Sequence, residues 1–539
     1  MELHTRNKRR ILTLAALAGL SITAMSANAF AQELSPVVQM SKGTIEGVKN
    51  DGYLQFKGIP YAKAPVGSLR WMPPVEEEKW SGTLKANHFA NTCATKLTLG
   101  GFGPVSAAED CLYLNVYTPA VLPENNSKLP VMVWIPGGGL GSGSGNEYDA
   151  SKLVSKNVIV VTMNYRLGMF GYFSHPALNH EGHKAINYGT LDQQAALKWV
   201  NKNIQSFGGD NHNVTLFGES AGGHSVLAQM ASPGAKGLFK RAIVSSGSFS
   251  LKQPTVAEAT KIGELVAKNV GCSEGTEGTE GTEEKMAECL RAVPTETILD
   301  KGVNYMTTAQ VVTDGEVMPE SLEAAFSSGR YNVVPIINGF NTNEGTFFAA
   351  MMELDSGKPI DNIGFYEGLK AFFGESDANT LIKRAAIPAK QVNLGQDYAD
   401  FFGRAKFICR TPMMNNLLAK NTPVYSYEFT DKTAPQFAKP VSFPYAAAHT
   451  SDLQYIFRDF HGTTGELHKL NPAQEKLSIL MVDYWTNFAK TGNPNAKGLP
   501  VWGVYHPQTE STLYLHTQNT KMIEGISKTF NCDEFAGVL

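Results

Sequence analysis

Five residues, Gly218-Glu219-Ser220-Ala221-Gly222, constrain this chain more than any other feature. They make a G-x-S-x-G pattern between two different periodicities. Before them, Val214-Thr215-Leu216-Phe217 reads as a strand; after them, Gly223 to Met230 reads as a helix. A strand that passes directly into a helix needs a sharp turn, and glycines flank the serine because side chains there would clash. Such a turn lifts the serine hydroxyl out of the sheet. The helix that follows points its N-terminus at that hydroxyl, where developing negative charge is favoured. A small-residue turn would give the same five letters, and short motifs recur by chance. The longer ordered pattern from Phe207-Gly208-Gly209 through Asp210-Asn211-His212-Asn213 into the strand argues against that reading.

The rest of the chain alternates in the same way. Leu129 to Ile135 is an unbroken apolar run and reads as a buried strand, as does Asn157 to Tyr165. Val38 to Gly47 and Gly52 to Ile59 read as early strands. Arg241 to Ser246, Val333 to Gly339 and Val424 to Phe429 read as later ones, and Leu191 to Ile204 has helical spacing. Strands alternating with helices imply an α/β fold with a mostly parallel sheet and helices on both faces. The stretch Leu381 to Arg404 reads as a helical insertion. No linker divides the chain, so residues 32–539 are expected to form one domain.

With 539 residues, 42% apolar and 18% charged, the chain reads as globular, and its net charge of −3 implies no basic face for nucleic acid. The N-terminus reads as an export signal. Arg6, Lys8, Arg9 and Arg10 precede the apolar Ile11 to Met25, and Ala29-Phe30-Ala31 offers cleavage before Gln32. The apolar run is shorter than the roughly 20 residues a membrane span needs, so residues 1–31 are read as removed and no stable membrane anchor is expected. The six cysteines suit an exported protein, periplasmic or secreted, although fifteen pairings are open from sequence. Glu274 to Thr282, three copies of Glu-Gly-Thr, reads as an acidic surface loop. Asn125-Asn126-Ser127 is a glycosylation sequon, usable only on a eukaryotic secretory route. His175, His180 and His183 lack the H-E-x-x-H pattern and read as an exposed loop; no metal and no cofactor is implied.

The serine segment, together with Glu109-Asp110-Cys111-Leu112-Tyr113-Leu114-Asn115-Val116-Tyr117-Thr118-Pro119, resembles the two signatures of the type-B carboxylesterases. That family includes the cholinesterases and has the α/β-hydrolase fold. Similar segments, among them Gly58 to Ala62, Leu69 to Pro74 and Asn187-Tyr188-Gly189, extend the resemblance over nearly the whole mature chain. It implies hydrolysis of small-molecule carboxylic esters by water, through an acyl-serine intermediate. Ser220 would be the nucleophile. In α/β-hydrolases the acid and the histidine follow the serine in that order. Glu344 follows a predicted strand in Gly339 to Phe348 and matches the acid segment. Asp314, in Asp314-Gly315, resembles the family's structural turn instead. His449, in Ala448-His449-Thr450-Ser451-Asp452, matches the histidine frame, which His461 and His468 lack. Thr450 stands where the family usually has glycine.

The resemblance further implies an oxyanion hole from the backbone N–H groups of Gly138, Gly139 and Ala221, with Ser246 supporting the triad. Helical insertions would lie over the site. Arg70 would pair with Glu109 and Arg166 with Asp192 as scaffold. The implied disulfides are Cys93–Cys111, Cys272–Cys289 and Cys409–Cys532. Pro136 and Leu140 depart from the residues usual around the glycines; the triple-glycine type implies acceptance of bulky alcohol groups. Between Cys93 and Cys111 the one aromatic is Phe102, with no tryptophan to hold a quaternary ammonium, so choline esters are poor candidates. A short loop there favours small to medium soluble esters over a lipase's long acyl chains. A non-catalytic interaction module of the same fold is the reading of another class.

Overall fold

An apolar run such as Val131-Met132-Val133-Trp134-Ile135 has no polar face, so a strand made from it must be covered on both sides. The computed structural model describes residues 35–538 apart from 100–101, 122–127, 180, 184–185, 273–282, 303–308 and 386–392. The segment 1–31 read as an export signal, the sequon at 125–127, His180 and the Glu-Gly-Thr repeats lie outside the described residues. Residues from Pro36 onward form one compact unit.

Its strands are β1 Val37–Gln39, β2 Thr44–Glu46, β3 Val48–Lys49, β4 Tyr53–Pro60, β5 Thr83–Lys85, β6 Tyr113–Pro119 and β7 Leu129–Ile135. They continue as β8 Ile159–Met163, β9 Gly209–Glu219, β10 Arg241–Ser245, β11 Ile336–Asn341, β12 Val424–Phe429, β13 Thr512–Leu515 and β14 Lys521–Ile523. The large sheet runs β14-β13-β12-β11-β10-β9-β7-β8-β6-β4-β3, and β1, β2 and β5 form a small separate sheet. From β13 to β8 every neighbour is parallel; antiparallel pairs occur only toward the two edges. This is the α/β-hydrolase arrangement.

Side-chain alternation divides the sheet between two cores. Met132, Trp134, Phe217 and Ile243 face one side, where they join Met481 and Trp485. Val131, Val133, Leu216 and Val244 face the other, with Leu197, Val200, Val226 and Leu227. The covering helices are α1 Tyr188–Asn203, α2 Ala221–Ala231 and α8 Pro472–Thr491. Each fully buried aliphatic side chain contributes about 1.5–3 kcal/mol. Local sequence sets the ends of α8: Asn471 and Gln474 form a reciprocal capping box, Pro472 opens the helix, and Gly492 closes it at φ 82°.

Between β11 and β12 lies the helical insertion: α3 Glu344–Ser356, α4 Asn362–Phe373, α5 Glu375–Ala385, α6 Gly395–Gly403 and α7 Arg410–Leu418. A π-helical turn, Arg404–Ile408, joins the last two. Disulfides link Cys93 to Cys111, Cys272 to Cys289 and Cys409 to Cys532. Arg70 pairs with Glu109 and Arg166 with Asp192.

Four local expectations change. Val38 to Gly47 is not one strand but the hairpin β1–β2, closed by Met40 N–H donating to Gly43 O at 2.9 Å. The strand expected from Val333 begins at Ile336, because Pro335 has no N–H to give the ladder. The helix expected from Leu191 begins three residues earlier at Tyr188. His175 is buried rather than in an exposed loop, its Nδ1 accepting from Ala177 N–H.

The Arg166–Asp192 pair is bidentate, with Nε to Oδ2 at 2.8 Å and Nη2 to Oδ1 at 2.7 Å, and both residues are buried. Removing one partner strands the other charge without water. Arg166→Ala is expected to cost roughly 3–5 kcal/mol of unfolding free energy, read as a lowered urea midpoint. A loss under about 1 kcal/mol, the range of exposed pairs, would show that solvent reaches Asp192.

Candidate active site

The site forms at the carboxyl ends of the central parallel strands, where α/β sheets leave a crevice. Strand β9 ends at Glu219 and helix α2 begins at Ala221, leaving Ser220 alone to make the turn. Its backbone sits at φ 55°, ψ −125°, far from the regions serine prefers. The neighbouring strand holds it there: Ser220 N–H donates to Ser245 O at 2.8 Å, and His224 N–H donates back to Ser220 O at 2.9 Å. Gly222 is obligatory, since a Cβ there would lie 2.0 Å from Ile135 O.

Strand β11 carries Glu344 just beyond its end, at the first position of α3. The carboxylate is fully buried and fixed on both oxygens. Oε1 accepts from Ser246 Oγ at 2.6 Å and from Asn341 N–H at 2.7 Å. Oε2 faces His449 Nδ1 at 2.5 Å. The loop bearing His449 is tied to the same place, with Asn343 N–H donating to Ala447 O at 2.9 Å and Asn341 Nδ2 donating to Ala448 O at 2.7 Å. Thr450 adopts φ 71°. That left-handed conformation suits glycine and costs a β-branched residue about 1–2 kcal/mol.

Gly138, at φ 108°, turns the chain after β7, its carbonyl accepting from Ser142 N–H at 2.9 Å. Gly138, Gly139 and Ala221 line one cavity of about 670 Å³ together with Ser220 and His449. The walls are part aromatic and aliphatic and part polar, with Lys252, Glu323, Lys370 and Asp377 among the charged lining residues; Phe347, Phe348 and Phe407 pack around the imidazole at ring separations of 5.9, 5.1 and 4.8 Å. Leu140, at φ 57°, and Phe102 complete the side nearest the glycines. Pro136 is buried, and its carbonyl accepts from Tyr165 Oη at 3.0 Å. His461 is half-buried, hydrogen-bonded at Nδ1 to Asp459 O. His468 is exposed beside Glu466. Asp314 lies elsewhere, its Oδ1 accepting from Glu316 and Met318 N–H groups, which makes it a turn residue. Among the described residues no group of three or more His, Cys, Asp or Glu side chains is arranged to hold a metal ion.

Two carboxyl groups join the site without having been singled out from sequence. Glu219, inside the five-residue motif, is fully buried, and its Oε1 lies 3.2 Å from His449 Nε2. Neither Glu219 oxygen nor His449 Nε2 has a hydrogen-bond partner. Asp452 is also fully buried, receiving Asn341 Nδ2 and Tyr427 Oη, each at 3.2 Å. For Glu219 the available signal was a charged residue directly after the apolar or small stretch Val214 to Gly218.

Burial pushes Glu219 up to about 8; the positive field of His449 opposes this, while Asp452 and Glu344 add to it. Burial alone would hold His449 down, but Glu219, Glu344 and Asp452 outweigh it and raise the imidazole to about 9. Burial likewise raises Asp452 to about 6. Glu219 and His449 therefore titrate as a unit. Buried groups shifted this far, in a cavity, mark functional sites.

The chain belongs to the carboxylesterase family, whose model matches residues 34–534, and it is a carboxylic ester hydrolase. It is 36% identical over 501 residues to human cocaine esterase, covering 88% of this chain and 86% of that one. It is 34% identical over 502 residues to the para-nitrobenzyl esterase of Bacillus subtilis strain 168, covering 90% and 95%. Among solved structures, a thermophilic PNB esterase matches with a TM-score of 0.77 at 30% identity, covering 93% of this chain and 99% of the other.

Replacing Glu219 by Gln removes the negative charge nearest Nε2, so the imidazolium loses stabilisation and its pKa falls. In Glu219→Gln, His449 followed by NMR is expected to titrate about one pH unit lower than in wild type. An unchanged titration would mean that Glu344 and Asp452 set it without Glu219.

Proposed function

We propose that this enzyme cleaves esters by nucleophilic catalysis, with Ser220 as nucleophile, His449 as general base and then acid, and Glu344 orienting the imidazole. One observation carries the reading: a buried carboxylate, 2.5 Å from Nδ1, fixes the ring whose other nitrogen is unbonded in the cavity that Ser220 lines. Nε2 makes no hydrogen bond to Ser220; such contacts often tighten only in the substrate complex. Once Nε2 takes the hydroxyl proton, Ser220 Oγ attacks the ester carbonyl. The oxyanion then forms beside the backbone N–H groups of Gly138, Gly139 and Ala221 at the start of α2, where each donor is worth about 100- to 1000-fold in rate. His449 returns the proton to the leaving alcohol, and water releases the acyl group by the same route in reverse. Ser246 acts through Glu344, holding Oε1 so that Oε2 faces the ring.

We further read residues 32–539 as a single catalytic domain, exported by the segment 1–31. Three disulfides suit that route, and no described helix is long and apolar enough to cross a membrane. The cavity, lined by several phenylalanines and bordered on one side by the helical insertion, suits small to medium esters. Relatives named for pyrethroid and p-nitrobenzyl substrates support bulky alcohol groups. A lipase differs by preferring long acyl chains, and an interaction module by lacking turnover.

Hydrolysis of p-nitrophenyl esters from acetate to palmitate, wild type beside Ser220→Ala, tests the reading. The serine variant is expected to lose activity by roughly a million-fold, and the rate to fall off at the long chains. A rate that rises toward palmitate would make it a lipase. Activity persisting in Ser220→Ala would overturn the mechanism. Turnover of a tert-butyl ester small enough for the cavity is expected from the glycine loop; none would count against the bulky-alcohol specificity.

A further inference from the structure

The π-helical turn Arg404–Ile408 is a rare backbone feature that recurs at functional sites. Here it delivers two neighbouring side chains to the cavity. Phe407 packs on His449, with ring centres 4.8 Å apart. Lys406 lines the same cavity and lies over the faces of Phe249 and Phe373, its Nζ 5.5 and 5.6 Å from their centres. Phe249 stacks in turn on His224 and meets Phe407, so only two aromatic contacts separate the lysine from the His449 ring.

Among the described residues Lys406 has no carboxylate partner and no hydrogen-bond acceptor. Its neighbour in charge is another cation: Arg410, one turn on, also lines the cavity and uses only Nε in a hydrogen bond, to Ala405 O at 3.1 Å. Asp377 answers Arg410 electrostatically but not Lys406. Burial, with Arg410 adding to it, lowers Lys406 to about 7. Lys406 is half-buried, and contact with two aromatic faces offsets only part of the cost of drawing its ammonium partly out of water. His224, held down to about 4 by burial, is neutral and does not compete for an anion.

We propose that Lys406, with Arg410 behind it, forms a carboxylate-recognition subsite, so that the preferred substrates are esters carrying a free carboxylate away from the scissile bond. This rests on the reading of the cavity as the substrate site. An incoming carboxylate would supply the counter-charge that the fold omits, and would form a charge-assisted hydrogen bond to Nζ. The aromatic cage around the ammonium would shield that pair from water, and the apolar walls would hold the chain between carboxylate and ester.

The test compares esters of matched length that end in methyl or in carboxylate. One arm places the carboxylate on the acyl side, as p-nitrophenyl esters from hexanoate to decanoate and their ω-carboxy counterparts. The other places it on the alcohol side, as alkyl acetates and acetates of ω-hydroxy acids followed by acid release. Lys406→Met keeps the stem and removes the charge; Lys406→Arg restores the charge. In at least one arm, Lys406→Met is expected to lower kcat/KM for the carboxylate esters about ten- to a hundredfold. The loss should fall chiefly in KM, with the methyl esters unchanged and Lys406→Arg recovering most of it. An equal response of both series in both arms, or no response, would overturn the subsite while leaving the esterase mechanism standing. Wild-type enzyme that hydrolysed no methyl-terminated or carboxylate ester would overturn both.

Discussion

Everything at the site depends on one crowded crossing of backbone, where the turn after β9 passes beneath the end of β7. The approach of Gly222 to Ile135 O leaves no room for any side chain, and it sets where α2 can begin. That in turn forces Ser220 into its left-handed, strained conformation. The strain is held by two backbone hydrogen bonds and by the parallel pairing of Glu219 with Ser245. A rigid sheet buried on both faces can carry such a cost; a surface loop could not. The same crossing brings the glycine loop after β7 beside the serine, so the proposed nucleophile and oxyanion donors share one origin.

The second organising element is electrostatic. Three buried carboxyl groups, Glu219, Glu344 and Asp452, surround one imidazole. Burying so much like charge would be prohibitive if all three were ionised. Glu344 is relieved by two hydrogen bonds and the ring, and Asp452 by Asn341 and Tyr427. Glu219 has only the ring edge, and burial raises it furthest. The hierarchy of hydrogen bonding thus decides which carboxyl group keeps a proton. Together the three carboxyl groups outweigh burial and raise the proton affinity of the imidazole.

Much of this was legible in the sequence, for reasons that can be named. The unbroken apolar run Leu129 to Ile135 had to be a strand covered on both faces, and it is; the strand expected at Asn157 to Tyr165 forms over Ile159–Met163. Ser220, Glu344 and His449 stood out because each sits in a short local frame, and the fold gathers the three into one cavity wall or its immediate support. Where expectations slipped, a local detail was responsible. Pro335 shortens β11, and the turn at Gly43 splits an early strand into a hairpin. Thr450 departs from the usual glycine, yet it takes the conformation glycine would have taken.

What the chain determined by itself were the elements and their order, because periodicity, capping and turn chemistry act over a few residues. It also determined which serine, acid and histidine could meet, since their frames are local. Only the tertiary structure decided that Glu219 turns back toward Nε2, that Asp452 joins it, and that Phe347, Phe348 and Phe407 close around the ring. It alone placed Lys406 in an aromatic cage facing the substrate cavity. Those relations join residues more than a hundred positions apart in several cases, and they follow from how an insertion packs over a sheet. Side-chain burial and the shifts in proton affinity that come with it are properties of that packing, and no local pattern encodes them.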